Sequence, residues 1–357
     1  MSVATATMEA PATRLRAFPM PGSDISGGSG QPPGYHETEL PYPPIEALES
    51  FVRRVDSSSL SFGNRHYNGS MARHGGKIYM AYRVESFRAV SSVGLCEMDE
   101  GFNVLRDRLL EPPSLEPSLQ LEDPHMASVG GELVCFTGAF VKDFPQSCRQ
   151  RLFTLDPQSL SIRSETPVSY GRNAEPGGVE KNWTPFELPD GRLGMVYRQK
   201  PRTLARLADM EGWITQDAAF APAESSLSGR TGPLRISPGL YLEFVGGHVR
   251  IPGRASRGTR YWFGALAFEA KPPFRVLGGT REPRVWASEA SPTIRSPLNG
   301  AGHPVCILPA GAMLDGHSVL VSCGVNDSYI AILRFNVEEL LERMTGGVAS
   351  IFHEGRI

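Results

Sequence analysis

Short apolar or alternating runs recur along this chain from about residue 60, each of strand length and each bounded by turn signals. KIYMAYR (Lys77 to Arg83), ELVCFTG (Glu132 to Gly138) and RLGMVYR (Arg192 to Arg198) open the series. LYLEFVG (Leu240 to Gly246), YWFGALAF (Tyr261 to Phe268), SVLVSCG (Ser318 to Gly324) and YIAILRF (Tyr329 to Phe335) continue it. All are rich in β-branched and aromatic residues, which suit a pleated, buried surface. Polar turns containing glycine stand just before several of them: HGG (74–76), VGGE (129–132), PDGR (189–192) and LDGH (314–317). Asp-Gly between apolar runs is a strong short-range hairpin signal.

The first three turns fall about 55 to 60 residues apart, room for four strands and a loop. Five such units fit between about residues 60 and 340. Radial repetition of four-stranded sheets protects their edges, so the spacing predicts an all-β fold, a five-bladed β-propeller. A β-sandwich or two small β domains would also satisfy the alternation. One short C-terminal helix is expected. Asn336 precedes VEELLERM, with Glu339 three residues on, a start resembling a capping box. Leu340, Leu341 and Met344 give it an apolar stripe. Residues 1–40 differ: SDISGGSGQPPGYHETELPYPP is rich in Gly, Ser and Pro and poor in large aliphatics. Such a segment cannot bury enough apolar surface to offset its ordering entropy, so a disordered tail is expected before a propeller domain spanning 41–357.

Composition narrows the function classes. The 38 glycines and 30 prolines of 357 residues are well above average usage, which argues for frequent turns and against long helical bundles. Lys+Arg 36 against Asp+Glu 38 gives a net charge of -2, which excludes a strongly basic nucleic-acid binder and gives no electrostatic case for an anionic membrane. Apolar stretches such as Leu133 to Val141 are far shorter than the ~20 residues of a spanning helix. The N-terminal MSVATATMEAPATRLRAF has no apolar h-region of a secretory signal. Five cysteines, an odd number without CxxC spacing, read as buried free thiols in a reducing compartment rather than a zinc or disulfide framework. A cytoplasmic location is the expectation.

Three polar clusters sit where a unit begins: HYNGS (His66 to Ser70), LEDPH (Leu121 to His125) and EKNWTPFE (Glu180 to Glu187). In a propeller such positions converge on one end of the axis, where loops on a rigid scaffold carry function. Glu122 and Asp123 are adjacent, and successive residues of an extended strand point opposite ways. At most one of them is therefore expected to face a given pocket. Pro124 favours an extended Asp123. Lys181 and Asn182 beside Trp183 suit a hydroxyl-rich ligand, the ring packing on apolar C–H faces; a surface ion pair and a core tryptophan is the plainer reading. His248 ends a strand after Gly246-Gly247, and Asn326-Asp327 follow Cys323-Gly324 as an Asx turn would. GxSxG, HExxH and P-loop motifs do not occur.

Taken in order, these segments resemble glycoside hydrolase family 130, the five-bladed β-mannoside phosphorylases and mannosidases. The similar segments are YNGSMARHGGKIYMAYR, VGLCEMDEGFNVLRDRLLEP, LEDPHMASVGGELVCFTGAF, EKNWTPFELPDGRLGMVYRQKP and LPAGAMLDGHSVLVSCGVNDSYIAI. The resemblance covers about residues 60 to 340. It implies that Asp123 is the general acid, acting through a mannose hydroxyl. It implies that Asn68 and Asp327 bind mannosyl hydroxyls, that Lys181 sits beside the sugar or the nucleophile, and that Arg198 and His248 bind phosphate. The implied reaction is inverting cleavage of β-mannosides or related glycosides, by phosphorolysis to mannose 1-phosphate. It needs no cofactor or metal, only inorganic phosphate as co-substrate. Two departures stand out: His125 replaces the family's arginine in Glu-Asp-Pro-Arg, and the third segment reads Glu-Lys-Asn-Trp. A hydrolase would instead need a carboxylate base about 6.5–9.5 Å from the acid, for which Glu175, Glu180 and Glu187 are the candidates. A sugar-binding propeller without turnover is the third reading. The partner expected is a glycoside or oligosaccharide; nucleic acid and membrane are not, and a homo-oligomer is left open.

Overall fold

The computed structural model describes residues 48–56, 60, 65–85, 91–112, 119–141, 144–166, 168, 170–171, 179–199, 201–209, 211–215, 226–229, 231–250, 259–280, 285–286 and 306–353. The expected N-terminal tail lies outside them. The strands form five antiparallel sheets, the blades of a propeller. Blade 1 runs Arg65–His74, Lys77–Glu85, Ser91–Met98 and Val104–Leu109. Blade 2 runs Leu119–Val129, Glu132–Val141, Phe144–Asp156 and Ser161–Thr166. Blade 3 runs Thr184–Glu187, Leu193–Gln199, Arg202–Arg206 and Gly212–Thr215. In blade 4 the inner edge is split. Ser226–Gly229 and Leu234–Ser237 both pair with Leu240–Arg250, which pairs with Thr259–Glu269.

Blade 5 joins the two ends of the ring. Ile307–Asp315, Ser318–Val325 and Tyr329–Asn336 come from late in the chain. Its outermost strand, Phe51–Arg54, comes from the beginning, with Phe51 opposite Leu333 and Arg54 opposite Ala331.

Side-chain alternation explains the ring. Each blade is buried on both faces, so its central strands are apolar at consecutive positions. Ile78, Met80 and Tyr82 pack with Leu320, Ile330 and Ile332 of blade 5. The residues between them, Tyr79 and Ala81, pack with Leu133, Cys135 and Phe153 of blade 2. Val134 and Phe136 then meet Trp183 and Met195. Val196 and Leu204 meet Tyr241 and Phe268. Leu242 and Phe244 meet Val321 and Leu333. Period-two alternation thus sends successive residues into successive inter-blade cores. Each large side chain so buried contributes about 1.5–3 kcal/mol.

The hairpins follow their glycines. Gly75-Gly76 and Gly130-Gly131 have φ of 55° and 78° and of 56° and 78°. Such consecutive positive values are the type I′ geometry that matches strand twist. The C-terminal helix starts as expected, the Asn336 side chain accepting from the Glu339 N–H. It is shorter than the apolar stripe suggested, Val337–Glu342, and a second helix, Val348–His353, follows a 3-10 turn. Leu340, Leu341 and Val348 close the core between blades 4 and 5. All five cysteines are free and buried. No helix among the described residues is long and apolar enough to cross a membrane.

Candidate functional site

The inner strands of blades 1 and 2 are interrupted at matching places. Tyr67 lies opposite Arg83 and Ser70 opposite Ala81, so Asn68 and Gly69 share one partner residue. Glu122 lies opposite Gly138 and His125 opposite Phe136, so Asp123 and Pro124 do the same. Such bulges re-aim a side chain. Asn68 and Asp123 take left-handed backbone, with φ of 49° and 46°. Asn and Asp tolerate this region best among residues with a side chain. For Asp123 it corrects the expectation of an extended residue before proline. A strained backbone of this kind costs about 1–3 kcal/mol and clusters at functional sites.

The bulge also lets Glu122 and Asp123, neighbours in sequence, share one partner. Arg83 Nη1 lies 3.4 Å from Glu122 Oε2 and 3.3 Å from Asp123 Oδ1. Both carboxylates therefore reach one guanidinium. Asn68 Nδ2 donates to the same Asp123 oxygen at 2.8 Å. Lys181 Nζ pairs with Glu122 Oε1, to which the Cys148 thiol also points at 3.8 Å.

Arg83 is the residue that sequence reasoning missed. Its signal was there: a cation interrupts the strand straight after the apolar run Ile78 to Tyr82. Its Nε donates to Ser91 Oγ at 3.0 Å, and its guanidinium lies 5.2 Å from the Tyr67 ring centre. Burial works against its charge, but Asp123, Tyr67, Glu122 and Asp327 outweigh it and raise its pKa further. Burial also pushes the Tyr67 hydroxyl up, so it stays protonated and donates to Glu85 at 3.0 Å. Asp327, at φ 48°, is close enough to act on both Arg83 and Tyr67.

A cleft at this end of the axis is lined by Asn68, Asp123, Pro124 and His125 with Leu308, Pro309 and Ala310 of blade 5. Blade 5 approaches closely because Gly324 has no side chain; a Cβ there would lie 1.9 Å from Asn68 Oδ1. His125 is 3% exposed, its Nδ1 lying 3.3 Å from the Ala310 carbonyl oxygen. A carbonyl only accepts, so this nitrogen carries the proton.

Asn68 and Asp123 are in contact, Lys181 reaches the adjacent Glu122, and Asp327 acts on the Arg83 that the two carboxylates share. Asn182 adjoins them at φ 60°, its Oδ1 buried without a hydrogen-bond partner. Trp183 is not a stacking platform. It is 0% exposed and packs edge-on against Phe136, Tyr170 and Tyr197. Glu180 anchors that aromatic group, accepting from Trp183 Nε1 at 3.2 Å and from the Tyr197 hydroxyl at 2.7 Å. Each of its oxygens thus braces the aromatic group, and the residue is buried.

Glu187 is removed by position. It ends its strand at the opposite side of blade 3, where it accepts from the Gly130 N–H at 2.8 Å. Gly130 is seven residues beyond Asp123, about 20 Å along a strand. Glu175 lies outside the described residues. Arg198 and His248 each stand near the end of their blade's second central strand, the same side of the ring as Arg83. Arg198 lies over the Tyr197 ring at 5.0 Å, and the His248 ring is 5.4 Å from that of Tyr261. Among the described residues no group of three or more His, Cys, Asp or Glu could hold a metal ion.

No protein-family model matches the chain, and no curated protein matches it in sequence. Solved structures do match in shape. A β-1,2-mannobiose phosphorylase from Listeria innocua, bound to β-1,2-mannobiose, is 16% identical, with a TM-score of 0.56 over 83% of this chain and 94% of that one. A mannose phosphorylase from Leishmania mexicana in complex with phosphate ion is 17% identical, with a TM-score of 0.51 over 77% and 84%. A structure described with the GH130 family, whose mannoside phosphorylases include hydrolases of β-1,2-mannosidic linkages in Candida mannan, is 15% identical, with a TM-score of 0.56 over 80% and 91%. The chain therefore has the five-bladed fold that the GH130 mannoside phosphorylase and glycoside hydrolase structures display.

Proposed function

We propose that this protein is a carbohydrate-active enzyme that cleaves β-mannosides or related glycosides with inversion, passing the glycosyl unit to inorganic phosphate. The observation that carries the reading is the setting of Asp123. It sits in a left-handed bulge at the axis, bonded by Asn68 and Arg83, with the Lys181 ammonium next to its neighbour Glu122. In the reaction, a phosphate oxygen forms a bond to the anomeric carbon as the glycosidic C–O bond breaks. Asp123 supplies the proton that the leaving oxygen takes up, through a sugar hydroxyl, and mannose 1-phosphate is released. Asn68, Lys181, Asn182 and Asp327 hold the sugar, and Arg198 and His248 receive the phosphate.

Two features favour phosphate over water as nucleophile. Arg83 and Lys181 bring two cations to the site, and charge-assisted contacts are what a dianion needs in place of water. Glu187, one of the three candidate bases, is held at the far end of its blade by the Gly130 N–H. The test is a panel of mannosides assayed with and without phosphate, with mannose 1-phosphate and mannose measured separately. Mannose 1-phosphate formed only with phosphate is the expected result. Free mannose at a rate independent of phosphate would overturn phosphorolysis in favour of hydrolysis. Neither product, with sugar binding still seen by calorimetry, would make the protein a binding propeller.

A further inference from the structure

We infer that Glu122 is a positioning residue of this site, the carboxylate that fixes both Lys181 and Arg83 beside Asp123; this rests on the glycoside-cleaving reading above. Glu122 does not line the cleft. Its side chain is 9% exposed, against 16% for Arg83 and 46% for Lys181, so it is the most buried of the three charges. One oxygen takes the Lys181 ammonium and the other faces Arg83 Nη1 at 3.4 Å. Arg83 belongs to blade 1, Glu122 to blade 2 and Lys181 to the segment entering blade 3. One buried carboxylate therefore sets the spacing of charges drawn from three blades.

The lysine end shows why this is more than a structural ion pair. The Lys181 side chain is 46% exposed, while its carboxylate partner is buried. An ammonium has three donors, and the carboxylate approaches it from the protein side. The geometry aims a cation outward and holds it from behind. If Glu122 loses its charge, Asp123 is the nearest carboxylate that both cations can turn to, since Arg83 already touches it. The acid, already 3.3 Å from Arg83, would then carry that ion pair without Glu122 to share it.

Protonation follows the same geometry. Glu122, Cys148 and Asp123 are the titratable groups acting on Lys181. Burial pushes the Cys148 thiol up to about 12, so it is neutral in the working range. Burial also opposes the Lys181 charge, and the charge and hydrogen bond of Glu122 outweigh it, leaving the lysine above its ordinary value. Without Glu122 the largest influence holding that charge is lost.

The test compares the parent chain with Glu122→Gln and Glu122→Asp by two readouts. The first is the titration of Lys181, followed by trace acylation across pH and peptide mass spectrometry. The second is the pH–rate profile of mannoside cleavage. In the parent, Lys181 should titrate above the ordinary lysine value of ~10.4. In Glu122→Gln it should titrate lower than in the parent, react faster at pH 9, and carry the alkaline limb of kcat/KM down with it. A 1 Å misplacement can cost about 100-fold, and a loss of that order in kcat/KM is expected. Glu122→Asp, with its charge kept, should return the titration and most of the rate toward the parent.

A Lys181 titration that is the same in Glu122→Gln and parent, or a Gln variant with the parent's rate and alkaline limb, overturns the assignment. If the Gln variant does not fold, the Asp variant decides: a titration below the parent's with no gain from the retained charge marks a packing role. A parent that releases neither sugar phosphate nor free sugar would overturn the glycoside reading instead, and the acylation readout would still settle what holds Lys181.

Discussion

Asn68 of the first blade donates to Asp123 of the second at 2.8 Å, and both residues are in left-handed backbone. Two strained positions on different blades thus meet at one hydrogen bond. The strain is useful only if the oxygen it places does chemistry.

Asp123→Asn tests this directly. Asparagine tolerates the same backbone, so the melting temperature should stay near the parent's. General acid catalysis is worth about 10²–10⁴-fold, and mannoside turnover should fall by at least the lower figure. Full turnover with the true substrate would remove Asp123 from the acid role.

A second prediction concerns a polar group deep between blades 3 and 4. Arg202 and Glu243 are 1% and 0% exposed and pair at 2.6 Å. Arg202 also donates to Gln199 at 2.6 Å and lies 4.4 Å from the Phe268 ring centre. Removing one partner strands a buried charge, at a cost of about 3–5 kcal/mol. Arg202→Met should therefore lower unfolding stability by that amount in urea. Combining it with Glu243→Leu should recover most of the loss, because the desolvation penalty disappears with the pair. A single variant within 1 kcal/mol of the parent would show that the pair is not needed for stability.

The closing strand can be removed. A chain beginning at Val55 loses the pairing of Phe51–Arg54 with residues 331–333. It also loses the Arg54 guanidinium over the Tyr329 ring at 4.2 Å and the Arg53 bond to the Gly101 carbonyl at 2.6 Å. The strand Tyr329–Asn336 would become an open edge, and open edges recruit other chains. A lower melting temperature and larger particles by light scattering are expected. A truncated chain with the parent's melting curve and size would contradict this.

Glu97 offers a pH test. The hydrogen bond from Lys77 at 2.7 Å, and then Arg106, hold its carboxyl below the ordinary value against the effect of burial. A lowered folded-state pKa means stability that is fully present above the unfolded value of ~4.3 and lost as pH falls through the folded one. Glu97→Gln should melt lower than the parent at pH 7, and the gap should narrow below about pH 4.3. A gap that does not change with pH would rule out the ion pairs as its source.

Much of this could be read in the chain. Turn glycines at 75–76 and 130–131 and apolar strands at regular spacing located the blades, because both are local signals. The cluster starts at Asn68, Asp123 and Lys181 did converge, because equivalent places in successive blades must. What stayed hidden was set by backbone geometry and by distant partners. A left-handed Asp123 before proline reverses the usual preference, so the sharing of Arg83 by Glu122 and Asp123 had no sequence signal. Trp183 was open to two readings, a ligand platform or a core tryptophan, because nothing nearby in sequence names Phe136 and Tyr197 as the rings that enclose it. The pairing of Phe51 with Leu333 spans most of the chain and leaves no local trace.

That last pairing has a consequence for biosynthesis. At a ribosomal rate of about 5–20 residues per second, the interval between residues 51 and 333 is roughly fifteen seconds to a minute. Through that interval the earliest strand has no native partner, and blade 1 lacks the neighbour that covers Ile78, Met80 and Tyr82. The ring cannot be completed blade by blade, since its last sheet needs its first strand. A nascent chain of this design carries exposed apolar surface until translation is nearly over, a delay set by the position of four residues.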